Sequence, residues 1–262
     1  MNLSLKGKRA VVCGSTQGIG KSIALSLADH GASITLLSRD EIKLKETIKE
    51  LKITNEQNHN YIVSDFNNLE DLKEKFKIFL NGNVRPTILI NNTGGPPPGA
   101  ITEAKISDFK NYISMHLYCS HFLTQSLLPI MKKEKFGRIV NIISISVKSP
   151  IDNLGVSNTV RWAMASWAKT LSNEVAEFGI TVNNILPGFT NTERLQSLLK
   201  NRALSSNTSI EEIINNTISN IPAKRFGKPE EVAGATTFLC SKAASYINGI
   251  NLPVDGGFTK TL

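Results

Sequence analysis

Seven short apolar runs rich in β-branched residues punctuate the chain: Ala10 to Cys13, Ser33 to Leu37, Tyr61 to Val63, Thr87 to Asn91, Gly137 to Ile143, Ile180 to Leu186 and Ile250 to Val254. Between them the spacing of apolar positions is helical, with segments starting near Ile19, Glu41, Leu69, Ile106, Ser157 and Pro229. Strand-length runs alternating with helical stretches predict a parallel sheet with crossover helices, the α/β class. No repeat, low-complexity tract or long linker divides residues 1–262, so one domain is expected.

Local chemistry agrees with these boundaries. Gly31 and Gly179 stop the helices that precede them, and Pro229-Glu230-Glu231 supplies a first-turn proline and two carboxylates suited to a helix N-terminus. Two stretches break the alternation. Gly94-Gly95-Pro96-Pro97-Pro98-Gly99 follows the fourth strand and can be neither helix nor central strand. Residues 187–222, rich in Ser, Thr and Asn, follow the sixth strand and are expected to form a mobile substrate loop. Both stretches lie at carboxyl ends of strands, where open α/β sheets bind ligands.

Composition narrows the picture only slightly. The formal net charge of +8 favours anionic ligands, but the basic residues are scattered and no nucleic-acid motif accompanies them, so no nucleic-acid partner is expected. Cys13, Cys119 and Cys240 are too few and too far apart for a disulfide framework or a zinc site, and no metal is expected. No stretch approaches a membrane span and the N-terminus lacks a signal-peptide core. A reducing cytoplasmic setting is the expectation.

Chemistry enters at the first strand. Gly14-Ser15-Thr16-Gln17-Gly18-Ile19-Gly20 runs from that strand into the first helix, with three glycines where the backbone must turn tightly and approach a ligand. The helix N-terminus there offers unpaired N–H groups and a partial positive charge, which suits a pyrophosphate.

The spacing Gly-x-x-x-Gly-x-Gly resembles that of the short-chain dehydrogenase/reductase family, and further matches follow in order: Asp65, Asn91-Asn92-Thr93-Gly94, Gly137 to Ser144, Pro187-Gly188 and Val254-Asp255-Gly256-Gly257. The resemblance spans nearly the whole chain and is nearest to the 3-oxoacyl-carrier-protein reductase-like members. It implies a single-domain, doubly wound Rossmann-like fold, with a seven-stranded, mostly parallel sheet covered by helices on both faces. It also implies cofactor contacts from Gly14 through Gly20, with Asp65 and Phe66 near the adenine, Asn91 near the adjoining ribose, and Thr190 or Thr192 near the nicotinamide amide. Thr93, Gly94, Pro187 and Gly188 complete the implied set. Cys13 and Thr93 stand where the family usually has Thr and Ala.

The end of the second strand selects the cofactor. An acidic residue there would accept hydrogen bonds from a ribose diol and repel a phosphate; here Ser38 is followed by Arg39, whose planar fork suits a 2′-phosphate. NADP(H) is therefore favoured, with NAD(H) left open by Asp40. The bland alternative for Arg39 is an exposed charge paired to Asp40 or Glu41.

The reacting end departs from the family. Ser144 is retained, but the positions thirteen and seventeen residues later, where Tyr and Lys of a Tyr-x-x-x-Lys pair belong, hold Ser157 and Arg161, and His116 stands where Asn is usual. A serine hydroxyl is far less acidic than a phenol, and Arg stays protonated. His116 can carry a proton at neutral pH, so it is the candidate donor or relay, with Ser144 orienting a carbonyl and Arg161 holding an oxyanion or an anionic substrate. The alternative for His116 is space-filling in a helix. Tyr112 and Tyr118 on the His116 helix, Lys148 beyond Ser144 and, more weakly, Tyr246 are alternative acids, each favoured instead at the surface or in the core, and Trp162 and Trp167 are expected in packing.

Two functional classes follow: an NADP(H)-dependent oxidoreductase on a small carbonyl or alcohol substrate with modified proton chemistry, or an NADP(H)-binding sensor without turnover. The resemblance further implies a homodimer or homotetramer built on the helices that start near Ile106 and Ser157.

Overall fold

In a computed structural model that describes residues 1–54 and 56–261, all seven expected strands form, within one residue or so of their predicted ends. They are β1 (Arg9–Cys13), β2 (Ser33–Ser38), β3 (Asn60–Val63), β4 (Ile88–Asn91), β5 (Gly137–Ile142), β6 (Ile180–Pro187) and β7 (Asn251–Val254). They make one sheet in the order β3-β2-β1-β4-β5-β6-β7, and every pairing is parallel. Strand order reverses between β1 and β4, so the two strands diverge to opposite crossovers and leave a crevice at their carboxyl ends.

Strand side chains alternate strictly between two cores. Val12, Leu36, Ile90, Val140 and Ile185 pack with α1 (Gly18–Asp29) and α9 (Pro229–Cys240), through Ile23, Leu27, Val232 and Leu239. Their neighbours Val11, Leu37, Leu89, Ile139 and Val182 pack on the other face with α3 (Leu69–Asn81), α5 (Cys119–Glu134) and α6 (Gly155–Val175), through Phe76, Leu127 and Val175. The period of two therefore fixes which residues meet which layer. Both faces are covered, which is why the strands read as continuous apolar runs rather than alternating ones.

One polar row crosses this interior. Asn91 on β4, Asn141 on β5, Asn184 on β6 and Asn251 on β7 are register partners, and each Nδ2 donates to the next Oδ1 at 2.8 Å, from Asn91 through to Asn251. Spacing by two from Leu89, Ile139 and Val182 puts the first three on the face toward α5 and α6. The three bonds tie four strands together at the carboxyl end of the sheet, while the Asn91 Oδ1 at the head of the row is buried without a partner.

The remaining helices are α2 (Glu41–Glu50), α4 (Ile106–Ile113), α7 (Glu193–Ser206) and α8 (Ile210–Ser219), and a π-helical turn, Ser114–Tyr118, joins α4 to α5. Residues 187–222, expected as a mobile loop, are thus largely helical. Two of the segment's hydroxyl residues are caps: the Thr192 hydroxyl accepts from the Leu195 amide and the Ser209 hydroxyl from the Glu212 amide. Leu195, Leu199, Ala203 and Ile213 then close a small apolar cluster with Phe189 and Phe226. Cys13, Cys119 and Cys240 are buried and free. Among the described residues no helix is long and apolar enough to cross a membrane.

Candidate functional site

A single cleft of about 1490 Å³ opens above the carboxyl ends of the strands, where the β1/β4 reversal places it. Its floor at one end is the turn from β1 into α1. Gly14 has φ of +56° and Gly20 packs so tightly that a Cβ would meet the Gly14 carbonyl oxygen at 2.1 Å. Only glycine fits either position, and the close packing brings the first turn of α1 directly under the cleft. Gln17 at the N-cap makes no side-chain capping bond and no acid lies in the first turn. The helix therefore offers uncapped amides and its positive end to whatever occupies the cleft. Asn92 holds the turn in place by donating from Nδ2 to the Cys13 and Gly14 carbonyls, each at 3.2 Å. This clasp between β4 and β1 was missed by sequence reasoning, which placed the ligand contact on Asn91.

Beside the turn is a cluster suited to a phosphate. The Thr16 and Ser38 hydroxyls share a hydrogen bond of 3.3 Å, and Arg39 and Lys43 stand on the same wall. Arg39 pairs neither with Asp40 nor with Glu41. Asp40 caps α2 by accepting from the Lys43 amide, Glu41 is engaged by Lys45 at 2.8 Å, and Arg39 reaches Asp65 at 3.8 Å with its side chain 72% exposed. Such a long, wet ion pair is weak and leaves the guanidinium available. Lys43 was missed; one turn beyond Arg39 at the start of α2, it reaches back to Gln17 Oε1 at 3.3 Å.

Of the other residues expected at the cofactor, Gln17, Gly18, Ile19, Asp65, Phe66, Thr93, Gly94, Pro187, Gly188, Thr190 and Thr192 all line the cleft. Thr192 also packs on the glycine turn, its Cγ2 lying 3.2 Å from where a Cβ on Gly18 would sit, so α7 meets α1 across the opening. Ser15 and Asn91 do not line it. Ser15 is buried, and Asn91 is committed to the asparagine row, because consecutive residues of an extended strand point to opposite sides of the sheet.

At the other end of the cleft the structure brings together Ser144, Ser157 and Arg161. Ser144 sits where β5 ends, its hydroxyl accepting from the Ser146 amide at 3.1 Å, and Ser157 and Arg161 share a face of α6 one turn apart. Arg161 is buried, donates through Nη1 to the Ile142 carbonyl at 3.0 Å, and has an Nε with no partner. Burial, reinforced by nearby Arg194, lowers its pKa to about 10, so it remains charged at neutral pH.

His116 lies behind this wall, within reach of the Arg161 charge, and does not line the cleft. It sits in the π-helical turn at 2% exposure, off the cleft wall, and its Nδ1 shares a 2.6 Å hydrogen bond with the Thr93 hydroxyl. Burial and the charge on Arg161 hold its pKa well below the ordinary imidazole value, against a backbone hydrogen bond with Gly94. The shift disfavours the charged imidazolium, and the ring's side-chain hydrogen bond goes to Thr93, which lines the cleft. Tyr112, expected at the surface or in the core, instead lines the cleft from α4. Its place on the helical stretch that carries His116 is what makes it an alternative acid from the sequence.

Comparison with known proteins agrees with this geometry. The protein-family model described as Enoyl-(Acyl carrier protein) reductase matches residues 14–259. The chain is 31% identical to the NADPH-dependent reductase BacG of Bacillus subtilis (strain 168), covering 97% of this chain and 99% of that one. It is 31% identical to the 3-oxoacyl-[acyl-carrier-protein] reductase FabG of Aquifex aeolicus, with 98% and 99% covered. Among solved structures, L-sorbose reductase from Gluconobacter frateurii complexed with NADPH and L-sorbose superposes with a TM-score of 0.92 at 30% identity, over the full length of both chains. The glycine turn, the parallel order of the strands and these end-to-end matches make the chain a member of the short-chain dehydrogenase/reductase family.

Proposed function

We propose that the protein is an NADP(H)-dependent oxidoreductase that interconverts a small carbonyl compound and its alcohol. One observation carries the reading: a single cleft joins an uncapped helix N-terminus, with Arg39 and Lys43 beside it, to a wall bearing Ser144, Ser157 and Arg161. Named NADPH-dependent reductases among the relatives, and the NADPH-bound sorbose reductase among the structures, support the coenzyme choice.

Gly14 to Gly20 would hold the pyrophosphate, Thr16, Ser38, Arg39 and Lys43 the 2′-phosphate, and Thr190 and Thr192 the nicotinamide end. When bound, the nicotinamide supplies or accepts the hydride. The chain's own part is to orient the carbonyl through the Ser144 hydroxyl and to place the fixed charge of Arg161 where negative charge develops on oxygen. Ser157 keeps a hydroxyl on that wall but is a poor acid. His116 is a positioning residue: it fixes the Thr93 hydroxyl that faces the cleft. The proton comes from the Tyr112 phenol or from water entering the open cleft, and Tyr112→Phe separates the two.

Binding of NADPH and NADH by calorimetry, followed by a screen for NADPH oxidation over ketones, aldehydes and oxo acids, tests the reading. Binding with turnover of at least one substrate is expected; tight binding without stereospecific hydride transfer to any of them would favour a sensor instead. The exposed side chains Ile106, Tyr118 and Trp162, on α4 to α6, fit a homodimer or homotetramer contact, which sedimentation would reveal.

A further inference from the structure

Two arginines converge on one point of the cleft. The Nη2 atoms of Arg161 and Arg194 lie 3.5 and 3.9 Å from the position that a side chain at Gly95 would occupy. Arg161 is 8% exposed and comes from the interior side of α6; Arg194 comes from the first turn of α7, across the cleft, and donates to the Pro96 carbonyl. Among the described residues neither has a carboxylate within 4.0 Å. This arrangement costs stability in three ways: like charges lie close together, a buried guanidinium keeps an unpartnered Nε, and Arg194 sits at the positive end of a helix. An anion between the two would offset all three. The wall from α7 and the C-terminal segment adds Arg202 and Lys260, with Glu193 as its acid.

Resting on the oxidoreductase reading, we propose that the substrate carries a carboxylate, and that Arg161 and Arg194 clamp it over Gly95, one from each side of the cleft. Each guanidinium already gives one N–H to a backbone carbonyl, so each has donors left for one carboxylate oxygen. Because Arg194 rides on α7, carboxylate binding also ties that helix to the polyproline loop after β4.

The test uses the full protein with NADPH and matched pairs of 2-oxo and 3-oxo acids and their methyl esters, by turnover and by calorimetry. The wild type should bind at least one acid roughly 10- to 100-fold more tightly than its ester. Arg194→Gln should close that gap through KM, weakening the acid roughly 10-fold or more while the ester changes far less. Gly95→Leu, which fills the point between the guanidinium groups while keeping both arginines, should block acid binding. An acid–ester preference that survives Arg194→Gln, or NADPH binding with no acid preferred over its ester by either measurement, overturns the clamp and leaves the oxidoreductase reading standing. Absence of NADPH binding defeats the oxidoreductase reading instead, and the acid titration without coenzyme still reads the clamp.

Discussion

Replacing Arg39 by Ala isolates the discrimination between the two pyridine coenzymes. The guanidinium is 72% exposed and its one ion pair, to Asp65, spans 3.8 Å, so its loss should change folding stability by no more than about 0.5–1 kcal/mol. Toward a 2′-phosphate the same group makes a charge-assisted contact worth about 1.5–3 kcal/mol, and its exposure argues for the lower end. Lys43 remains on the same wall. The expected result is therefore an increase of about tenfold in the NADPH Kd, with NADH affinity unchanged because its ribose carries no charge there. Arg39→Ala with Lys43→Ala should bring the loss to about 100-fold and nearly equalise the two coenzymes. Titration calorimetry at low and high salt reads both effects, since screening should erode the wild-type preference in parallel. An unchanged NADPH Kd in Arg39→Ala, or an equal loss for NADH, would refute the assignment of the 2′-phosphate to this cluster.

Two further predictions address the architecture. Asn141→Ala leaves the Asn91 Nδ2 and the Asn184 Oδ1 without partners inside the sheet, and at about 1–3 kcal/mol for each orphan the loss should be about 2–6 kcal/mol in urea unfolding; a change below 1 kcal/mol would show that the row contributes nothing. His116 is held neutral in the fold while an unfolded histidine titrates near 6.5, so the unfolded state gains the proton first and stability should fall as pH drops below about 6.5, by up to about 1.4 kcal/mol per unit. His59, also shifted down by burial, acts in the same direction. His116→Asn should flatten the Tm-against-pH slope in that window relative to His59→Gln, and an unaltered slope would remove His116 as its cause. Activity should show no step near pH 6.5 attributable to His116.

Much of this protein was legible in its sequence, because local pattern and global fold agree. Short apolar runs alternating with helical stretches marked all seven strands, and Gly14 and Gly20 announced the turn, since only glycine serves where carbonyl and helix approach so closely. Ser144, Ser157 and Arg161 line one cleft, Ser144 from the end of a strand and the other two from one face of a helix. Other features depend on contacts between residues far apart in the chain. The row from Asn91 to Asn251 exists only through strand register, and the helices of 187–222 were hidden because Ser and Thr serve equally as loop residues and as caps. The sequence identified His116 as a titratable group, but burial and the nearby charge of Arg161, both set by the tertiary fold, push its pKa down, and its hydrogen bond goes to Thr93. The pairing of Arg161 with Arg194 likewise required α7 to fold back across the opening. Charge and acidity depend on surroundings, and surroundings are supplied by the tertiary fold.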